Sequence, residues 1–271
     1  MLDALITLFD YDFMRRALLA VLLIMPLFSL LGTLVVNNGM AFFSDALGHS
    51  ALTGVGIGML FGLAEPEPAM VLFAVGFALL MNRIRHSRLS STDTVIGVFS
   101  SCGVALGLVI LSRGGGFSSY QSLLIGDILS ISSGQLLVLG ITLGVVAVLW
   151  LLCFNSFHAV SISASLARSK GLPVGLLDNL FVVVIAVVVM LSIQWVGLLL
   201  INAMLILPAA AARNVARSMR SYLLLALVFS LFSGLLGLCL SYLNAVATGP
   251  TIVLVSAALF FGTYFMGRRG A

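Results

Sequence analysis

The sequence predicts an all-α, polytopic integral membrane protein with eight to nine transmembrane helices, on three observations. Of 271 residues, 61% are hydrophobic and 8% are charged, with a mean hydropathy of +1.23, against roughly 25% charged residues in an ordinary soluble domain. Apolar segments recur from Ala17 to Met266, with no polar stretch between them long enough to build an extramembrane domain. The basic residues gather in short gaps between apolar runs rather than along one face, so the net charge of +4 marks topology and gives no reason to expect a nucleic-acid partner. Residues 1–271 read as one membrane domain embedded in a lipid bilayer.

The crossings are taken in order as Ala17 to Val36, Met40 to Leu63, Pro68 to Asn82, Thr94 to Ser112, Gly134 to Phe154, Gly175 to Ile193, Val196 to Ala212, Ser221 to Leu243 and Pro250 to Met266. The first follows Arg15 and Arg16 but runs about 20 residues without a small-residue cleavage site, so it is a retained span and not a signal peptide. Segments of about 17 residues or fewer are at the short end for a crossing, which leaves the count at eight or nine. Pro26 and Pro208 fall inside spans, where neighbouring helices can satisfy the freed carbonyls. Leu2 to Phe13 mixes Asp3, Asp10 and Asp12 with Leu and Phe at helical spacing, as a short helix lying in the interface would. Arg113 to Ser133, rich in glycine and serine, should be a loop or a short dipping helix.

Orientation follows from Lys and Arg in the short loops. Arg83, Arg85 and Arg88, then Arg168 and Lys170, then Arg213, Arg217 and Arg220, and finally Arg268 and Arg269 fall on one side, ten of the thirteen basic residues. That side is the cytoplasm. Most acids, including Glu65, Glu67 and Asp127, fall opposite, and an odd number of crossings then puts the N-terminus outside. Cys102, Cys153 and Cys239 each sit singly in an apolar run and read as small core residues, silent on redox compartment.

One span carries ionisable residues well inside its apolar stretch: Ser44-Asp45-Ala46-Leu47-Gly48-His49-Ser50-Ala51-Leu52. On insertion scales an Asp at that depth costs about 2.5 to 3.5 kcal/mol, so it persists where it faces a bundle interior and finds a partner. Asp45 and His49 are four apart, which on a helix places both on one face with a rise of about 6 Å between them. A carboxylate oxygen and an imidazole nitrogen can then converge on one ion, and such ligation suits zinc or manganese better than a metal seeking thiolates. Two ligands hold an ion weakly, as transport requires, and two copies of the chain could supply four. The competing reading is that His49 only hydrogen-bonds Asp45 and fixes helix packing. His86 and His158 lie near cytoplasmic ends and are expected as solvated loop residues. Gly48, Gly54, Gly56, Gly58 and Gly62 crowd the same span, which should let neighbouring backbones approach it closely.

Between the fifth and sixth spans, Ser161 to Gly171 reads as a short cytoplasmic helix with Ser161 or Ser163 as N-cap, Ala164, Leu166 and Ala167 inside, Gly171 at the C-terminal cap and Pro173 beyond. Such a knob suits docking of a soluble partner, or is a plain connector. Lys170 stands in Ser169-Lys170-Gly171, which is not the Gly-Lys-Ser/Thr of a phosphate loop, so ATP hydrolysis would have to come from another chain.

Five stretches in order carry a family resemblance: Ser44 to Gly54, Asp93-Thr94-Val95-Ile96-Gly97, Leu124-Ile125-Gly126-Asp127-Ile128-Leu129, Val196 to Arg213, and Thr248-Gly249-Pro250-Thr251-Ile252-Val253-Leu254. Over nearly its whole length the sequence resembles the permease family of zinc, manganese and iron ABC importers, with the zinc branch slightly favoured. The resemblance implies a type II importer bundle in a bacterial cytoplasmic (inner) membrane, a homodimer or a heterodimer with a paralogue, two ATP-binding cassette subunits and an extracytoplasmic metal-binding protein. It implies that Asp45 and His49 line the translocation path, that Ala164, Ala167 and Gly171 belong to the ATPase-docking helix, and that the divalent metal is a transported substrate and not a resident cofactor. The sequence departs from the family pattern at Asn37 and Asn38, where a basic pair is usual, at Thr53, where proline is common, and before Ala167, where serines replace an acidic residue. An ion-coupled secondary metal transporter is the alternative, although the repeated halves common in that class are not evident. An intramembrane aspartyl protease is disfavoured, because Leu124 replaces the first glycine expected before Gly126-Asp127.

Overall fold

A computed structural model describes residues 11–63, 65–87, 91–114, 126 and 128–267. Ten α-helices are found among them: α1 (Asp12–Asn37), α2 (Phe43–Leu60), α3 (Glu67–Arg85), α4 (Thr92–Gly114), α5 (Ser133–Ile162), α6 (Ala164–Ser169), α7 (Val174–Val196), α8 (Leu198–Val215), α9 (Met219–Asn244) and α10 (Thr248–Gly267), with a 3-10 turn at Ile128–Ser130. No strand occurs among the described residues. All nine anticipated crossings are helices, and eight are long and apolar enough to span a membrane. The ninth, α2, falls short in apolarity because Asp45, His49 and its glycines replace aliphatic residues.

Most helices overrun the anticipated limits, since amphipathic ends stay helical where apolarity fades. The largest overrun is α5, which continues eight residues beyond Phe154. His158 is therefore not a solvated loop residue: it lies inside α5, 6% exposed, with Nδ1 2.7 Å from the carbonyl of Phe154. Between α7 and α8 the chain breaks at Gly197, whose φ of +82° an L side chain rarely adopts. The interfacial helix expected over Leu2 to Phe13 lies mostly outside the described residues, its last two positions belonging to α1. Arg88, most of the loop after Arg113 with Asp127, and Arg268 and Arg269 also lie outside them.

The chain falls into two compact units. In the one holding α1 and α8 to α10, α1 is the most covered helix; Ser230 on α9 donates to its Met25 carbonyl (2.9 Å) and the Tyr222 hydroxyl to its Thr33 carbonyl (3.3 Å). The other unit spans Asn37–Ile125 and Cys153–Gln194, thus α2, α3, α4, the end of α5, α6 and most of α7. There α2 packs against α3 and α4. A methyl group placed on Gly54 would sit 2.6 Å from the Met70 backbone of α3, and one on Gly107 of α4 would sit 2.8 Å from the Thr53 backbone. Backbones this close leave no room for a side chain, the arrangement that small residues permit between helices in lipid.

Candidate functional site: a carboxylate and an imidazole on a packed helix

Helix α2 buries nearly all of itself. Phe43, Ser44, Ala46, Leu47 and Ser50 are fully buried and Ala51 nearly so, whereas the side chains of Asp45 and His49 are 40% and 34% exposed. The pair thus occupies the one stripe, with Phe42 before it, that this unit leaves uncovered near the start of the helix. The helical repeat sets this geometry: positions four apart stack along one face, and the other faces carry small or apolar residues that pack on α3 and α4.

His49 Nε2 lies 3.5 Å from Asp45 Oδ2. That is long for an N–H···O hydrogen bond, which prefers about 2.7 to 3.2 Å. It is close to the spacing of two donor atoms on one edge of a tetrahedral metal site, about 3.4 Å for bonds near 2.1 Å. Among the described residues no third His, Cys, Asp or Glu joins the pair. The arrangement can therefore offer a cation one oxygen and one nitrogen from an open face, and the rest of a coordination shell has to come from elsewhere.

Thr53, one turn past His49, was visible in the sequence only as a departure from a family pattern. Its hydroxyl donates a buried 2.6 Å hydrogen bond to the Gly103 carbonyl of α4, which fixes α2 beside α4 and which a proline could not make. No sequence signal pointed to that bond, because the partner is a backbone carbonyl 50 residues away.

The short helix expected between the fifth and sixth spans forms as α6. Ser163 caps α6 by accepting from the Leu166 amide (3.3 Å), and Gly171, at φ +76°, closes its end: its amide donates to Arg168 (2.9 Å) and that of Leu172 to Ala167 (3.1 Å). This pair of bonds is the Schellman cap. Ala164 and Gly171 are exposed, as is Leu166 at 55%, whereas Ala167 is 1% exposed. Ala167 seats the helix, and the open face belongs to its neighbours.

A bundle of membrane-length helices with a carboxylate and an imidazole held on a closely packed helix has the makings of a membrane transport subunit. A model of the ABC 3 transport family matches residues 10–267, and the chain belongs to that family. It is 32% identical to the high-affinity zinc uptake system membrane protein ZnuB of Haemophilus influenzae, over 96% of this chain and 99% of that one. It is 30% identical to the manganese transport system membrane protein MntC of Halalkalibacterium halodurans, over 97% and 90%. The solved structure of PsaBC from Streptococcus pneumoniae in complex with Fab superposes with a TM-score of 0.84 at 28% identity, covering 97% of this chain and 95% of that one.

Proposed function

We propose that the chain is the membrane permease of an ATP-driven importer for a divalent transition metal, with zinc first and manganese or iron next, and that Asp45 and His49 form the ion's resting point on its path. The observation that supports this most is the 3.5 Å separation of the two donor atoms on a mostly buried helix. A carboxylate and an imidazole dehydrated at membrane depth cost several kcal/mol unless something compensates, and a passing cation does so directly. Two protein ligands make the stay brief. A second copy of the permease, identical or a paralogue, would bring a second pair and complete a four-ligand shell.

In this reading residues 1–271 act as one permease domain in the bacterial cytoplasmic membrane. An extracytoplasmic binding protein hands over the ion, and two ATP-binding cassette subunits engage the cytoplasmic face through α6, where Ala164, Leu166 and Gly171 are open and Ala167 holds the helix in place. Nucleotide chemistry stays in those partners, and this chain supplies the conduit. Kinship to named zinc and manganese permeases favours this over the ion-coupled secondary transporter.

The test is elemental analysis of cells that depend on this permease and carry the wild-type chain, Asp45→Asn or His49→Ala. Accumulation of one divalent metal should fall at least about tenfold in both variants, corresponding to about 1.4 kcal/mol or more of lost ion stabilisation. Normal accumulation of every metal in both variants would remove the pair from the path.

A further inference from the structure

A second group of polar side chains lies where α3 ends and α7 begins, next to the docking helix. Asn82, 2% exposed, donates from Nδ2 to Oδ1 of Asn179 (2.9 Å), joining α3 to α7. Arg85 Nη2 donates to Asn82 Oδ1 (2.9 Å), and His86 Nδ1 lies 2.9 Å from the Asn82 carbonyl. His86 Nε2 then reaches Oδ2 of Asp178 at 3.2 Å, a second bridge between the same two helices.

This His and Asp pair has the donor atoms of a metal site, but its surroundings argue against a cation. Asp178 is the sole carboxylate among the groups named, and Arg83, Arg85 and Arg168 stand in the same cluster or line the adjoining space. Three guanidinium groups around one carboxylate make a field that repels a divalent ion. A cavity of about 430 Å³ adjoins the group, with Asn82, His86, Asp178 and, from α6, Arg168 in its walls. The junction is therefore open beside the group, and the hydrogen bonds join the two helix ends across it.

The position gives these bonds a consequence. Helix α6 leads through the Gly171 cap and Pro173 directly into α7, whose second turn carries Asp178 and Asn179. Ala167, Val174 and Leu177 are buried, and the Leu172 amide bonds the Ala167 carbonyl (3.1 Å) while that of Val174 bonds Leu172 (2.9 Å), which ties the end of α6 to the start of α7. From α7 the polar bridges pass to the end of α3, and α3 meets α2 backbone to backbone at Gly54, nine residues beyond Asp45.

We propose that the Asn82, Arg85, His86, Asp178 and Asn179 network is a latch that makes the docking helix and the helix bearing Asp45 and His49 move as one body, so that it couples ATP hydrolysis in the partner to release of the ion. These are positioning residues: none touches the ion. The inference rests on the permease reading, and its test separates the two. The permease, assembled with its ATPase in liposomes, is assayed for metal ions moved per ATP hydrolysed, for the wild-type chain and for Asn179→Ala and Asp178→Asn. Loss of a coupling element of this kind should lower that ratio about threefold or more while ATP turnover persists. A variant damaged only in folding loses both rates in proportion and leaves the ratio unchanged. If Asn179→Ala fails to assemble, the nearly isosteric Asp178→Asn provides the same readout. An unchanged ratio in the variants that assemble overturns the latch. ATP hydrolysis by the wild type with no metal moved would instead overturn the permease reading.

Discussion

The unit built around α1 and the unit built around α2 bury different kinds of polar group. Around α1 the described buried polar residues are Ser29, Thr33, Ser230, Ser233, Ser241, Thr248, Ser256 and Thr263, all hydroxyl-bearing, and Asn202 adds a half-buried amide whose Oδ1 is shielded from solvent. Several return their proton to a carbonyl one turn back, as Thr33 does to Leu30 (2.9 Å) and Thr263 to Phe260 (2.9 Å). A hydroxyl satisfied that way costs little in lipid. The other unit buries the amide of Asn82 and the imidazole of His158, and half exposes Asp45 and His49. Of these, Asp45 and His49 fall well inside a span, where ionisable groups are expensive and persist where they find a partner or a task. The contrast suggests a division of labour, with a passive framework around α1 and the working parts around α2.

The sharpest way to break that division is to separate stability from transport at α2. Asp45→Asn removes a carboxylate whose place in the membrane costs about 2.5 to 3.5 kcal/mol. Thermal unfolding in detergent should therefore stay level or rise while metal uptake falls about tenfold or more. A fall in uptake that merely tracks a loss of folded protein would show Asp45 to be a packing residue.

Next in size are the close backbone approaches, which both units share. Gly54→Leu drives a side chain against the Met70 backbone of α3, and Gly32→Leu drives one against the Leu205 carbonyl of α8. Overpacking of this kind costs about 1 to 3 kcal/mol, sometimes more. Both variants should lose stability to a similar extent, measured by the fraction surviving a heat challenge in detergent. At equal folded amounts, only Gly54→Leu should depress uptake further.

Acid should distinguish the units more gently. A neutral imidazole ligates a metal and a protonated one does not. Uptake should therefore decline a few-fold as external pH falls from neutral to about pH 5, through the range where histidine gains its proton. His49→Ala should flatten the residual profile, and an unchanged wild-type rate down to that pH would count against His49 as a ligand.

The sequence made the fold class and the charged pair readable because both are one-dimensional signals. Apolar runs of membrane length mark spans, and Asp45 with His49 four residues later marks a shared helical face whatever surrounds it. The Ser163 cap and the Gly171 terminus were equally local. What stayed hidden was set by tertiary distance. Asn82 and Asn179, 97 residues apart, carry no local sign of pairing, and their amides meet at 2.9 Å only because α3 and α7 bring them together. His158 was placed in a loop because apolarity fades near Phe154, yet the helix continues as its hydrogen bonds propagate regardless of polarity.

The smallest effect gives the finest comparison, because each unit has a buried serine or threonine whose hydroxyl bonds a carbonyl on a neighbouring helix. Thr53 on α2 donates to Gly103 of α4 at 2.6 Å, and Ser230 on α9 donates to Met25 of α1 at 2.9 Å, both buried. Interhelical bonds of this type contribute about 0.6 kcal/mol on average in membrane bundles. Thr53→Val and Ser230→Ala should therefore shift thermal unfolding by small and similar amounts. Their effects on transport should differ. Thr53 is one turn from His49 and fixes the rotation of α2 against α4, so its loss lets the pair's open stripe drift and lowers uptake measurably. Ser230 holds α1, which carries no ligand, and Ser230→Ala should leave uptake at the wild-type rate. Equal losses of uptake in the two variants would mean that the α1 unit is no passive framework, and the division between the units would have to be redrawn.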